Sequence, residues 1–156
     1  MKIIRTYFID IHAKRSMLEM GERISGVSTN IKVDKLEEKP GDLPSGEKVL
    51  GAEFTFTVDY PVDKNKKFAE ITCKGEVIFV EDKEATEALL KTWKKEEKLP
   101  KEIYVPIMRT AFEISVVEAM QLAEKLKIPQ PIPIMRLLEV QTEKNEKNKK
   151  KENYIG

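Results

Sequence analysis

Alternation of apolar and polar positions organises the first half of the chain. Over residues 48–60, Leu50, Ala52, Phe54, Phe56, Val58 and Tyr60 fall on one side, and Gly51, Glu53, Thr55, Thr57 and Asp59 fall on the other. A period of two sends successive side chains to opposite faces, so this stretch predicts a strand with one buried and one wet face. Residues 68–80 repeat the pattern, with Ala69, Ile71, Cys73, Gly75, Val77 and Phe79 alternating against Glu70, Thr72, Lys74 and Glu76. The polar stretch 61–67 joins the two into an antiparallel hairpin. Residues 2–12 predict a further strand, with Ile3, Arg5, Tyr7, Ile9 and Ile11 on one side and Ile4, Thr6, Phe8, Asp10 and His12 on the other. Another is predicted over 28–36, where Ile31 and Val33 point inward, followed by a surface loop over the Gly- and Pro-rich residues 40–46.

Beyond Asp82, a candidate N-cap, the period becomes helical. Ala85, Ala88, Leu89, Thr92 and Trp93 share one side of a segment ending near Glu97. A longer helix is expected from Pro106 to about Lys127, since a proline is best tolerated at a first helical position. Its apolar residues cover more than half its circumference, which suggests burial on two sides. Pro129, Pro131 and Pro133 alternate with Gln130, Ile132 and Ile134, a pattern that excludes helix and central strand and reads as a stiff, extended strut. The tail beyond Gln141 is almost wholly Lys, Glu and Asn, a composition that predicts disorder. The chain therefore divides into a domain over residues 1–140 and a charged tail over 141–156. Four strands followed by two helices indicate an α+β fold, an antiparallel sheet with both helices packed on one face.

Composition narrows the function more than it names it. The 156 residues carry 28 basic and 27 acidic side chains, for a net charge of +1, so no global field draws the protein to nucleic acid or to a membrane surface. The lysine-rich runs 64–67 and 147–151 are interspersed with acidic residues and read as a solvated loop and tail. No apolar run approaches the roughly 18 residues of a bilayer-spanning helix, and Lys2 and Arg5 interrupt any signal-peptide core. A cytoplasmic protein is expected, in agreement with the single cysteine, Cys73.

Candidate chemistry is sparse. His12 and Cys73 are the sole histidine and cysteine, too few to build a zinc site, and they read as a strand-end histidine and a core-filling thiol. No phosphate-cradling glycine loop occurs, so action without ATP is expected. No catalytic set can be assembled, and an enzyme, a metal or a cofactor is not expected. Trp93 reads as a core anchor, and Met108, Met120 and Met135 each read singly as core packing, although flexible, polarizable methionine also suits a promiscuous binding surface.

Three segments in order resemble the SecB export-chaperone family. Ile3-Ile4-Arg5-Thr6-Tyr7-Phe8-Ile9-Asp10-Ile11 is similar to that family's opening strand, and the strands over 50–79, with Gly75, have the family's hairpin length. Tyr104-Val105-Pro106-Ile107-Met108-Arg109 is similar to the entry to its long helix, and Ile128-Pro129-Gln130-Pro131-Ile132-Pro133-Ile134 follows where the family has a proline-rich stretch. The resemblance spans residues 2–135. It implies a Greek-key-like sheet, dimers pairing into a tetramer, and grooves that hold unfolded or precursor polypeptides in a translocation-competent state. On this reading Tyr7, Phe54, Phe56, Phe79, Ile132 and Ile134 line the client groove. Ile107, Arg109, Ile114 and Val117 belong to the oligomer interface. Asp10 matches an acidic position of the family's motor-docking surface, but Lys14 replaces the next one, which puts docking to an export motor in doubt. A chaperone dedicated to one partner, such as an antitoxin, and a small-ligand-binding α+β domain are the alternatives.

Overall fold

A computed structural model describes residues 1–131; the expectations for Ile132, Ile134, Met135 and the tail 141–156 lie outside the described residues. Four strands, β1 (Lys2–Arg15), β2 (Ser28–Asp42), β3 (Lys48–Pro61) and β4 (Lys67–Glu81), precede two helices, α1 (Lys83–Glu96) and α2 (Lys101–Leu126). The strands form one antiparallel sheet in the order β1-β4-β3-β2. Three strands joined by consecutive hairpins, with the first strand laid beside the last, make a Greek key. Among the described residues, β1 and β2 are the edges.

The β3–β4 register follows the alternation. Leu50, Ala52, Phe54, Phe56, Val58 and Tyr60 lie opposite Phe79, Val77, Gly75, Cys73, Ile71 and Ala69, and all of them share the helix-covered face. Gly75 is required there: a Cβ would stand 2.5 Å from Cζ of Phe54 and 2.6 Å from the Tyr7 carbonyl oxygen, so the Phe54 ring lies over bare backbone.

β1 departs from the expected alternation. Its pairing with β4 slips between Ile3 and Arg5 and again between Phe8 and Asp10, which inserts Ile4 and Ile9 as bulges. Each extra residue reverses the phase of the pleat. Ile3, Thr6, Phe8, Ile11 and Ala13 therefore stand opposite helix-side residues of β4, whereas Arg5, Tyr7, Asp10 and His12 stand opposite outer-face residues. The simple two-face division of residues 2–12 is thereby corrected.

Two further boundaries differ. β2 continues to Asp42 instead of giving way to a loop at Pro40. An edge strand accepts a proline because one side of its backbone needs no ladder partner. α2 begins at Lys101, not Pro106: the Pro100 carbonyl accepts the N–H groups of Ile103 (3.0 Å) and Tyr104 (2.8 Å), and Pro106 stands inside the helix. There it removes only the bond that its N–H would have made to the Glu102 carbonyl.

α2 lies across the sheet on a stripe of Ile103, Ile107, Ala111, Ser115, Ala119 and Ala123, all buried. This four-residue spacing keeps one row of mostly small side chains against the strands. Phe56 meets Phe112 edge-to-face, with ring centroids 6.0 Å apart. α1 covers β2 and β3 through Thr86 and Leu89. At the far end, Arg15 Nη1 donates to the carbonyls of Leu126 (2.9 Å) and Lys127 (3.2 Å), and the Tyr60 hydroxyl donates to the Pro129 carbonyl (2.6 Å). The end of α2 is thus pinned to the sheet.

Candidate functional site

Of the residues expected to line a client groove, Phe54, Phe56 and Phe79 are at most 1% exposed and form the core beneath the helices. They offer no surface. Tyr7 lies on the opposite face of the sheet, where its hydroxyl donates to Glu76 and the Arg5 guanidinium lies 5.3 Å from its ring centroid. The four described residues are therefore not brought together, because the bulges in β1 turn Tyr7 away from the helices. Ile107, expected at an oligomer interface, is likewise fully buried, and Ile114 packs against the core; Arg109 and Val117 are exposed. Asp10 stands on the outer face opposite Lys74.

His12 is exposed on the outer face, whereas Cys73 is fully buried on the helix side, so no dyad forms. Burial, with a smaller contribution from Glu118, pushes the Cys73 thiol up to about 11, far from a reactive thiolate.

The outer face carries an ionic network. Glu76, 2% exposed, accepts from Tyr7 through one carboxylate oxygen and meets Lys39 Nζ at 2.5 Å through the other. Lys39 also bonds Glu37 (2.7 Å), and Lys35 joins Glu37 (2.5 Å) to Glu53 (3.8 Å). Gly51 makes room for this arrangement, since a Cβ there would collide with the Glu76 carboxylate and with the Lys39 chain. Hydrogen bonds from Lys35 and Lys39 hold the Glu37 carboxyl down at about 2, and those that Lys39 donates to Glu37 and Glu76 raise Lys39. Tyr7 is raised chiefly by its bond to Glu76. Glu37, Glu53 and Glu76 bring carboxylate oxygens within 4.8 Å of one another, but the two lysine ammonium groups take the place a metal ion would need.

The helix side of β2 forms an opening with apolar and charged walls. α1 ends where Glu97 turns left-handed (φ 50°) and its N–H bonds the Trp93 carbonyl; Leu99 and Pro100 then lead into α2. This short connection brings Trp93, Leu99 and Tyr104 opposite Ile31 and Val33, leaving a cleft of about 370 Å³. Lys32, Glu97 and Lys98 complete its lining. Lys32 is held by Asp34 at 3.1 Å, and Tyr104 remains 42% exposed. The cleft opens beside β2, an edge strand whose outward backbone groups have no strand neighbour among the described residues. Apolar walls next to an unpaired strand edge suit an extended peptide or a small, largely apolar ligand. Sequence reasoning placed Trp93 as a core anchor, Ile31 and Val33 as inward-facing strand residues and Tyr104 at a helix entry, but did not bring them together.

The fold and this opening define an α+β protein with a four-stranded open antiparallel sheet and a cleft at one edge. No protein-family model and no curated protein sequence matches the chain. Among solved structures it is similar to a SecB-like chaperone of Mycobacterium tuberculosis determined in complex with a peptide from an antitoxin. That likeness has a TM-score of 0.42 and 12% sequence identity, and covers 83% of this chain and 85% of that one. It is a distant likeness in the layout of elements. Among the described residues, no helix is long and apolar enough to cross a membrane.

Proposed function

We propose that the protein is an ATP-independent holdase chaperone that receives extended, unfolded polypeptide in the cleft between β2 and the α1–α2 connection and keeps it from aggregating. The observation that carries this reading is the cleft of Trp93, Leu99, Tyr104, Ile31 and Val33 lying beside a strand edge that has no strand neighbour among the described residues. Apolar walls take side chains without reading a particular sequence, and the edge offers backbone hydrogen bonds common to every peptide. Burial at about 25 cal/mol per Å² makes one such cleft a weak binder, so several clefts on one assembly are needed for useful avidity. Exposure of Ile4 (53%), Ile9 (56%) and Ile11 (41%) along β1 supports self-association through that strand. The same holding action serves either precursor polypeptides in general or one dedicated partner.

The test is light scattering of a chemically unfolded client diluted into buffer without nucleotide. Wild type should suppress aggregation at near-stoichiometric ratio. Tyr104→Asp, at a half-exposed position, should lose most of that effect while its melting temperature stays within a few degrees. Unchanged suppression by the variant would place client binding elsewhere. A second reading follows from the cleft's size, which lies in the range of small-molecule pockets. A saturable small apolar ligand that quenches Trp93, with no suppression of aggregation, would favour it.

A further inference from the structure

The two edge strands are bulged at the same level of the sheet. Ile9 is the extra residue of β1 where its pairing passes from Gly75 to Lys74, and Asp34 is the extra residue of β2 where its pairing passes from Phe54 to Glu53. Phe54 and Gly75 are themselves direct partners across the central strands, so the bulges face one another across the full width of the sheet. Each sets two consecutive residues, Ile9 with Asp10 and Asp34 with Lys35, between neighbours that stand opposite helix-side residues. A bulge bends its strand and re-aims a side chain, and such irregularities are common beside binding sites.

Between the bulges the outer face holds a pocket of about 340 Å³. Thr55, 9% exposed, lies at its centre and is flanked along one cross-strand row by Lys32 and Lys74. The Thr55 hydroxyl donates to one oxygen of the Asp34 carboxylate, and Lys32 meets the other at 3.1 Å. Glu53 lines the pocket one row further along β3, about 7 Å from Thr55. Ile9, 56% exposed, supplies an apolar side. Lys74 is exposed and, although Asp10 is its register partner, makes no hydrogen bond or ion pair among the described residues.

We propose that this outer-face pocket binds a small hydroxylated organic anion, of the class of sugar phosphates and sugar acids. Lys74 offers a cation that no described side chain neutralises, and Lys32 offers a second from the opposite side. An ammonium group acts as a point charge and takes a phosphate or a carboxylate equally. Asp34 and Glu53 are acceptors only, and their carboxylates keep lone pairs beyond the bonds they already make, so they call for hydroxyl donors on the same ligand. Lysines alone would hold any anion, and carboxylates alone would repel one. Together they select a molecule with its charge at one end and hydroxyl groups within about 7 Å of it. The C–H face of a sugar packs against Ile9, and the volume lies at the lower end of the small-molecule range. The pocket is on the face of the sheet away from the cleft, and of its lining only Lys32 is shared with it.

The experiment is calorimetric titration of the full chain with glucose 6-phosphate, gluconate, glucose and inorganic phosphate. At least one of the two charged sugars should bind saturably, about 10-fold more tightly than glucose or phosphate alone, since charge and hydroxyl groups are both needed. Its amide shifts in a two-dimensional NMR spectrum should cluster at Ile9, Asp34, Thr55 and Lys74. Lys74→Met, at an exposed position, should weaken binding about 10-fold while the melting temperature stays within a few degrees. Lys91→Met, which removes the same charge from an exposed position of α1, should leave the affinity within about 2-fold. Absence of binding by both charged sugars, phosphate binding as tightly as glucose 6-phosphate, or an affinity that Lys74→Met leaves unchanged would overturn the site. Lys74 does not line the cleft, so Lys74→Met should still suppress client aggregation, and failure of the pocket leaves the chaperone reading standing.

Discussion

The two faces of β3 are made from one strand, yet they do opposite work. On the helix side, Leu50, Ala52, Phe54, Phe56, Val58 and Tyr60 are at most 1% exposed and hold the helices to the sheet. On the outer side, Glu53 joins the lysine and carboxylate ladder that spans β2, β3 and β4, and Thr55 donates its hydroxyl to Asp34. The first face is saturated by the chain itself and the second by ion pairs, so neither presents a broad apolar surface. Apolar groups are left open at the cleft beside β2, along β1, on the loop that joins these edges, and at Val105 and Val117 of α2.

The largest way to break this contrast is to hollow the helix side. Phe56→Ala should cost about 3–5 kcal/mol, seen as a lowered midpoint in urea unfolding, because it removes a ring packed against Phe112 and leaves a void. Glu76→Ala should cost less, about 1–3 kcal/mol by the same measurement, since it strips Lys39 and Tyr7 of a buried carboxylate without emptying the core.

Acid should separate the faces most finely. The Glu37 carboxyl is held from 4.5 down to about 2, so its folded-state pKa is depressed. Its contribution is present above pH 4.5 and is lost as pH falls toward 2. Melting temperature should therefore drop across that window, and Glu37→Gln should flatten this part of the drop. An unaltered acid profile in the variant would show that the outer ladder adds nothing to stability.

The same contrast explains what could be read from the sequence. β3 and β4 keep an unbroken alternation, so their faces followed from residue spacing alone. β1 looked as regular, but Ile4 and Ile9 are bulges, and a bulge leaves no mark in a row of β-branched and aromatic residues. That hidden shift turned Tyr7 away from the side expected of it. Phe54, Phe56 and Phe79 were placed on the correct face but assigned to a client, because alternation tells which side is apolar and not what covers it. The start of α2 was missed since proline is read as a boundary, whereas Pro106 here removes one hydrogen bond inside a helix that α2's buried stripe secures. The cleft itself depends on three elements distant in sequence meeting at one edge, and no local pattern announces that.

The Greek-key order also sets a timetable. Among the described strands β1 leaves the ribosome before the others, and its one partner among them is β4, which ends at Glu81. At about 5–20 residues per second, the roughly 65 residues between them take about 3–13 s to emerge, ample time for β2 and β3 to pair first. During that interval the oily β1 segment waits without its ladder, and the newborn chain is itself an unfolded polypeptide of the sort its finished cleft is proposed to hold.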